Sequence, residues 1–457
     1  MSETKQRKST VRDMTVGSIP GQIIMFALPL MLGNIFQMLY NTVDSIIVGN
    51  FVGTQALAAV GSTTMITNMA VFFFNGFSVG AGVIIGRSFG AKDRDRLHTA
   101  VETTMAATFI CSVIFSIFGV FAVKFFLNFM STPADVFDEA SLYLRIYFIG
   151  ISGLLIYNMC SGILRAVGDT TRPLYFLILT SIMNIILDLF FVLFLHMGIA
   201  GVAIATIVSQ FISAILTLRL LLKTDDIYKL TIPDLRIDFG VLKEIVNVGL
   251  PAAIQSTITS FSNIFVQSYI NYFGSGVMAG WASYNKIDQF VMLPIQSMGM
   301  AATTFVSQNI GAKKLERAEK GMMTSTAISV CVTAVIATII WLNAPAAVRL
   351  FSSDEAVIEA GAAFLKVNVY FLLFNSVNHV LAGALRGSGD SRGPMVIMLT
   401  GFVAIRQTYL FIITRFVANT AKLVGFGYPV GWACTCTMEL IYYLATRKKR
   451  LASLENK

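Results

Sequence analysis

Twelve apolar stretches dominate this chain, and each is long enough to cross a lipid bilayer. A spanning helix needs about 20 predominantly apolar residues, whereas a spanning strand needs only about ten residues of alternating polarity. The stretches therefore predict helices and exclude strands. Their approximate limits are 20–48, 56–86, 99–122, 140–164, 173–195, 199–222, 244–271, 278–308, 321–342, 358–383, 394–416 and 427–446.

The composition of the chain leaves too little polar surface for a water-soluble protein. Charged residues make up 13% of the 457 residues, and the mean hydropathy is +0.72. A soluble domain normally carries about 25% charged residues. Lipid is therefore the expected solvent, and the predicted fold class is an all-α integral membrane protein with twelve transmembrane helices.

The lysines and arginines predict the orientation of the chain in the membrane. With the N-terminus inside, about 26 of the 34 lysines and arginines fall in cytoplasmic loops or tails, which is the bias that orients membrane proteins. We therefore expect a multi-pass protein of the plasma membrane with both termini in the cytoplasm. The net charge of +9 arises from these loops and not from a basic face with interleaved aromatics, so nucleic-acid binding is not expected.

The second half of the chain repeats the first at an offset of 221 residues. Segment 162–173 reappears as 383–394 and segment 90–92 as 311–313. Since six predicted helices separate the copies, we expect two pseudo-symmetric six-helix lobes related by an axis along the membrane normal. The predicted organisation is a cytoplasmic tail at 1–13, an N-terminal lobe at 14–222, a cytoplasmic linker at 223–243, a C-terminal lobe at 244–446 and a basic cytoplasmic tail at 447–457.

Sequence motifs for ATP hydrolysis and for enzyme catalysis are absent. The chain contains no Gly-x-x-x-x-Gly-Lys-Ser/Thr loop, no His-Glu-x-x-His zinc motif and no Gly-x-Ser-x-Gly nucleophile elbow. We therefore do not expect an enzyme, a resident cofactor or ATP as the source of energy.

Three aspartates inside the predicted helices are the strongest functional signal: Asp44, Asp188 and Asp288. An aspartate at the bilayer centre costs roughly 2.5–3.5 kcal/mol, so such a residue usually faces a cavity or a partner. Asn34, Gln37, Asn41 and Asp44 are spaced to share one helical face. This polar stripe is typical of a cavity lining, with hydrogen bonding between helices as the alternative.

A second group of oxygen ligands lies on the predicted fifth and sixth helices. Asn184 and Asp188 share one face, and Thr206 follows in the next helix. Such ligands suit a hard monovalent cation, and a carboxylate in an apolar setting can equally carry a proton. The sequence leaves Na⁺ and H⁺ open, and it predicts no metal site beyond a possible Na⁺.

Four further residues inside the helices have structural interpretations. Asp288 follows Lys286 by two residues, and we expect a charge pair or a local network there. His379 and Arg406 are expected to bond to neighbouring helices. Pro29 is expected to bend the first helix, because proline removes a backbone hydrogen bond.

Together these features resemble the multidrug and toxic compound extrusion (MATE) transporters over nearly the whole chain. The carrying residues are 29–44, Gly90-Ala91-Lys92, the two Gly-Asp-x-x-x-Pro loops, 285–288 and 307–312. The resemblance implies a V-shaped pair of six-helix lobes that exports amphipathic, often cationic drugs or toxins in exchange for Na⁺ or H⁺.

The resemblance also implies roles for individual residues. It assigns a cation or proton site to Asp44, Asn184, Asp188 and Thr206 and a bend to Pro29, and Tyr143 or Tyr147 completes that network. The substrate cavity is expected at Asn34, Gln37, Tyr40 and Asn41. One branch of the family has acids in the interiors of helices seven and ten, and the interiors of both predicted helices lack an acid here. The chain therefore resembles the branch with its cation site in the N-terminal lobe.

Two other functions compete with drug export. A lipid-linked oligosaccharide flippase of the same superfamily would need a strongly cationic cavity, for which Lys286 and Arg406 are the main candidates. A membrane-embedded enzyme would need a catalytic constellation, and the sequence shows none. We expect alternating access between the lobes, and nothing in the sequence requires more than a monomer.

Overall fold

The computed structural model describes residues 11–130 and 132–455. Most of the predicted tail at 1–13 and the last two residues of the tail at 447–457 lie outside this description. Within the described ranges the secondary structure is helical, without β-strands. The all-α prediction is thereby confirmed for this part of the chain.

Six long helices form the first half of the chain. Two of them end in a π-helical turn, α1 at Val48–Val52 and α5 at Phe190–Phe194. The six helices are α1 (Ile19–Ile47), α2 (Thr54–Gly90), α3 (Arg94–Phe129), α4 (Ala134–Ala166), α5 (Thr171–Leu189) and α6 (Gly198–Lys223).

The second half follows the same plan with more interruptions. The predicted tenth span is divided between α11 and α12, and the predicted eleventh between α13 and α14, with a π-helical turn at Thr400–Ile405. The helices are α7 (Phe239–Asn271), α8 (Ser275–Gly311), α9 (Leu315–Leu342), α10 (Ala344–Arg349), α11 (Glu355–Asn368), α12 (Leu372–Gly387), α13 (Arg392–Leu399), α14 (Arg406–Ile412), α15 (Ala421–Gly425) and α16 (Gly427–Glu455).

Ten stretches of helix in the described residues are long and apolar enough to cross a membrane. The predicted seventh and twelfth spans coincide with α7 and α16, which have 33 and 29 residues but are not among the ten. Large apolar side chains such as Phe121 (83% exposed) and Phe129 (78% exposed) point away from the packed interior. A surface of this kind is suited to lipid.

Contacts divide the chain into two compact units, and each is built mainly from one half. Among the described residues, the first unit contains 11–13 and 29–249, and the second contains 14–28 and 250–455. The predicted lobes at 14–222 and 244–446 differ from these units in two places: residues 14–28 belong to the second unit, and the first unit extends to residue 249. The chain passes from one unit to the other just before Pro29 and just before Leu250-Pro251, inside α1 and α7.

The segment before α1 packs with the second unit because its backbone is held there by side chains. Met14 donates its N–H to Gln308 Oε1 at 2.9 Å, and Asn309 Nδ2 donates to the Met14 carbonyl at 3.2 Å. Lys314 Nζ donates to the Thr15 carbonyl at 2.8 Å. Sequence periodicity contains no information about such distant partners, which is why the predicted limits differ here.

The connector between α6 and α7 belongs to the first unit and packs against other elements of that unit. Tyr228 is fully buried, and its hydroxyl accepts a hydrogen bond from Arg172 at 2.9 Å. Burial raises the pKa of this hydroxyl above its ordinary value, although Arg172 acts in the opposite direction. Thr103 on α3 accepts from the Asp238 N–H at 3.1 Å. The connector is therefore fixed in position beside α3.

The internal repeat is visible in the backbone of the turns. Lys92 and Lys313, which occupy equivalent positions, both adopt the left-handed conformation, with φ of 56° and 57°. A residue in this conformation commonly ends a helix, and it is uncommon outside glycine. The equivalent Asp169 and Asp390 both accept from the backbone N–H three residues later. The repeated motifs therefore form the same turns twice.

Two glycines of α2 provide a matched test of close helix packing. A Cβ at Gly80 would clash with the Ile245 carbonyl oxygen and lie 2.7 Å from the Gly249 backbone nitrogen, whereas a Cβ at Gly82 would meet nothing within 4 Å. We expect Gly80→Ala to lower the free energy of unfolding by about 1–3 kcal/mol because backbone atoms must move apart. Gly82→Ala should be neutral or stabilise by up to about 1 kcal/mol.

Thermal unfolding in detergent compares the two glycine variants directly. Equal melting temperatures for both would contradict the close approach of α2 to α7 at Gly80.

Candidate functional site

A polar cavity of about 100 Å³ lies within the first unit. A buried site needs roughly 10–15 Å³ per water molecule, so the cavity has room for several waters or a small hydrated ion. Four helices contribute to it: α1, α4, α5 and α6. Its lining residues are Pro29, Leu30, Gly33, Asn34, Gln37, Tyr40, Leu154, Tyr157, Asn158, Arg165, Thr170, Pro173, Leu174, Leu177, Thr180, Ser181, Asn184, Thr206, Ser209, Gln210 and Ser213.

Helix α1 contributes three of the four predicted substrate-cavity residues to this cavity. Asn34, Gln37 and Tyr40 are spaced three residues apart and all line it. Asn41 is exposed and lies outside the lining. The cavity residues on α1 end at Tyr40, and Asn41, one position further along the helix, does not reach the cavity.

The wall formed by α5 and α6 presents polar groups without partners. Asn184 is 2% exposed, and neither of its side-chain polar atoms has a hydrogen-bond partner. The hydroxyls of Ser181 and Ser209 are also buried without one. Thr206 lines the cavity and donates its hydroxyl to the Val202 carbonyl at 3.0 Å. Because unpartnered buried polar groups are costly, this wall is suited to water or an ion.

Asp44, which is half-buried, and Asp188 form a pair of carboxyl groups close to the cavity. Asp188 is fully buried. Both of its carboxylate oxygens, and Oδ1 of Asp44, are buried without a hydrogen-bond partner. The two side chains nevertheless interact directly with each other. Two negative charges this close in an apolar medium repel strongly, so the pair requires a proton or a cation between its members.

A π-helical turn follows each of these aspartates. The turn at Val48–Val52 comes four residues after Asp44, and the turn at Phe190–Phe194 comes two residues after Asp188. The two turns contact each other. Such turns are frequent at functional sites because they widen a helix locally, and here they fix the ends of both helices near the pair.

Three tyrosines surround the aspartate pair. Tyr143 and Tyr40 each interact with both Asp44 and Asp188. Tyr147 interacts with Tyr40, and its ring stacks on Tyr143 with centroids 6.3 Å apart. The sequence left Tyr143 and Tyr147 as alternatives; Tyr143 interacts with both carboxyl groups, whereas Tyr147 contacts the other tyrosines.

The charged residues of the second unit do not form the expected pair. Lys286 is exposed and lies over the Phe351 ring at 5.5 Å, and the salt bridges among the described residues do not join it to Asp288. Asp288 instead interacts with Tyr284, one turn earlier on α8. Spacing of two residues places the side chains of Lys286 and Asp288 on different faces of the helix, and this prevents the pair.

Arg406 is bonded to its neighbours, as the sequence predicted. Its guanidinium donates to Ser262 Oγ at 2.7 Å and to Asn263 Oδ1 at 2.9 Å, and it lies 4.7 Å from the Tyr428 ring centroid. The corresponding expectation for His379 stays a prediction.

Comparison with known proteins identifies the family. A family model described as MatE matches residues 29–190 and again residues 251–409. The chain belongs to the MatE family. The two matches begin 222 residues apart, close to the 221-residue offset of the internal repeat, and the first of them covers α1 from Pro29 onward and the aspartate pair.

Curated relatives span almost the whole chain. The probable multidrug resistance protein YoeA of Bacillus subtilis (strain 168) is 26% identical over 456 residues, covering 98% of each chain. YpnP of the same strain, also described as a probable multidrug resistance protein, is 29% identical over 442 residues, covering 96% of this chain and 98% of YpnP.

Solved structures confirm the MATE fold. A crystal structure of MATE in the straight conformation superimposes with a TM-score of 0.89, covering 99% of this chain and 100% of that one at 24% identity. A MOP superfamily transporter from Pyrococcus furiosus also has a TM-score of 0.89 at 24% identity, covering 99% of each chain. At this level of identity the likeness concerns the fold.

Several lining residues were not identified from the sequence. Tyr157 and Asn158 on α4 and Gln210 on α6 all border the cavity. The sequence does show that Ser209, Gln210 and Ser213 are polar residues at neighbouring positions of an otherwise apolar helix. It does not show which helix packs against them, so the cavity could not be assigned from the sequence.

Proposed function

We propose that this protein is a secondary active multidrug exporter of the plasma membrane that exchanges amphipathic or cationic compounds for Na⁺ or H⁺. The observation that carries the proposal is the Asp44–Asp188 pair beside a polar cavity. The names of the curated relatives support drug export as the function. They give no support to the lipid-linked flippase alternative.

The coupling ion would bind on the α5 side of the cavity. Asp44 and Asp188 supply the charge, and Asn184 and Thr206 supply neutral oxygen ligands. Carboxylate, amide and hydroxyl oxygens suit Na⁺, and the same carboxyl pair can hold a proton. The tyrosine hydroxyls of Tyr40 and Tyr143 would stabilise either state by hydrogen bonding.

The drug and the coupling ion would compete because α1 contributes residues to both of their binding sites. Asn34, Gln37 and Tyr40 border the cavity, and Asp44 lies one turn further along the same helix. A cavity of about 100 Å³ is smaller than the roughly 300–1,000 Å³ of sites for drug-sized ligands. The drug-bound state therefore requires α1 to move, and Pro29 provides a weak point in its hydrogen bonding.

Alternating access would follow from two states of α1. With the pair occupied by one monovalent ion, its charge falls from −2 to −1, the repulsion between the two carboxylates is relieved and α1 can approach α5, which closes the drug cavity. Release of the ion restores the repulsion and opens it. We further propose that both termini lie in the cytoplasm, on the basis of the distribution of basic residues, and that the protein acts as a monomer, since nothing in the sequence requires a larger assembly.

Transport in proteoliposomes tests the proposal. We expect ethidium to move against its gradient when an inward Na⁺ or H⁺ gradient is imposed, and not when both are absent. If a protonophore stops ethidium transport and removal of Na⁺ does not, the coupling ion is H⁺. The opposite result would identify Na⁺. Failure of folded protein to move ethidium or other cationic dyes under either gradient would contradict drug export.

A further inference from the structure

A cluster of potential metal ligands lies at the start of α3, outside the cavity. His98 and Glu102 are four residues apart on this helix, and Asp234 belongs to the connector between α6 and α7. One donor atom from each residue lies within 4.8 Å of the other two. The connector carries Asp234 in a short 3₁₀ turn, Ile232–Asp234.

The contact between His98 and Glu102 has the offset of two ligands of one ion. His98 Nδ1 lies 3.0 Å from Glu102 Oε1, yet this oxygen is buried without a hydrogen-bond partner. Because Glu102 Oε1 is within hydrogen-bonding distance of His98 Nδ1 and yet forms no hydrogen bond, it lies to one side of the direction in which an Nδ1–H would point. Two donors bound tetrahedrally to one Zn²⁺ at about 2.0–2.2 Å stand about 3.3–3.6 Å apart, so His98 Nδ1 and Glu102 Oε1 need to separate by only a few tenths of an ångström to bind one ion.

The other nitrogen of His98 has the partner that a metal-bound histidine requires. Nε2 lies 3.3 Å from Thr231 Oγ1, three residues before Asp234. A histidine that binds a metal through one ring nitrogen normally donates from the other to an oxygen, which fixes the tautomer and the ring plane. Thr231 therefore holds the ring in the orientation that directs Nδ1 towards the carboxylates.

The carboxylate of Glu102 is compensated by His98 only when that histidine is protonated. The side chain of Glu102 is 1% exposed, and a buried carboxylate requires compensation by charge. Arg236 and Asp234 both face it. With a neutral His98, the two acids and Arg236 leave one negative charge, which favours a dication.

We propose that His98, Glu102 and Asp234 bind one divalent transition-metal ion, with Zn²⁺ as the best match to one imidazole and two carboxylates. Asp234 is exposed, so its side chain is free to rotate onto the ion, and water completes the coordination. The ion would tie the connector to α3, adding to the hydrogen bonds that Thr103 makes with the same segment. This site is independent of the proposed transport function.

Zinc titration of the full-length, tag-free protein in detergent tests the proposal. A fluorescent zinc indicator competes for the ion, and we expect one equivalent to bind. His98→Gln and Asp234→Asn should each weaken binding at least tenfold. Asp225→Asn removes the same charge from another exposed position of the connector and should leave binding unchanged.

Proteolysis of the connector gives a second readout. Zn²⁺ should slow tryptic cleavage after the exposed Lys229 in the native protein and in Asp225→Asn, but not in Asp234→Asn. Because Asp234 is exposed, its substitution should not impair folding. Absence of bound zinc, or equal binding by the native protein and Asp234→Asn, would overturn the proposal and leave His98 and Glu102 as a simple ion pair.

Discussion

Asp188→Asn and Asp44→Asn should each reduce gradient-driven ethidium efflux at least 100-fold, and the double variant should be no worse than either single one. Each asparagine retains the shape of the side chain but removes the negative charge that binds the ion. If both carboxylates hold the same ion, losing one already abolishes coupling. Residues that act as a unit show this lack of additivity.

Controls separate loss of coupling from loss of the protein. Asp138→Asn removes an exposed acid at the start of α4 and should transport like the native protein. Ethidium binding, measured by fluorescence titration, should persist in Asp188→Asn because its asparagine leaves the lining residues Asn34 and Gln37 in place. Ion-driven efflux by Asp188→Asn, or additive losses in the double variant, would show that the pair is not the coupling site.

The turns and the repeat could be predicted from sequence because they depend on local chemistry. Lys92 and Lys313 end equivalent helices in the same conformation, and Asp169 and Asp390 cap equivalent turns. Each turn is specified by a few adjacent residues. The helices could likewise be predicted from the lengths of the apolar stretches, because a helix needs a minimum length to cross a bilayer.

The site could be predicted only in part, because periodicity gives the face of a helix but not the depth of a cavity. Asn34 and Gln37 line the cavity as expected, whereas Asn41 lies beyond its end. The tyrosines around the pair and Gln210 depend on which helices pack together. Those contacts join residues far apart in sequence, and a single sequence carries no direct record of them.

The basic residues inside the helices bear on the lipid-linked flippase alternative. Such a flippase would use free cations to hold a pyrophosphate, and the sequence offered Lys286 and Arg406. Arg406 is 3% exposed and is engaged by Ser262 and Asn263. A guanidinium with these partners stabilises the second unit and is not available to a substrate.

Arg406→Met should therefore destabilise the protein far more than Lys286→Met does. Removal of the guanidinium breaks its two hydrogen bonds to Ser262 and Asn263 and removes the contact with the Tyr428 ring. We expect a loss of about 2–4 kcal/mol, which lowers the apparent Tm by roughly 5–10 °C. Lys286→Met should change it by less than about 2 °C, because this exposed side chain only covers Phe351.

Thermal unfolding and transport together decide the role of Arg406. If Arg406→Met remains as stable as the native protein while lipid-linked substrates lose binding, the arginine serves a substrate and the flippase alternative regains support. If stability falls and the residual folded protein still exports ethidium, the arginine is structural. The second result is expected, because each of its hydrogen bonds joins α14 to α7 within one unit.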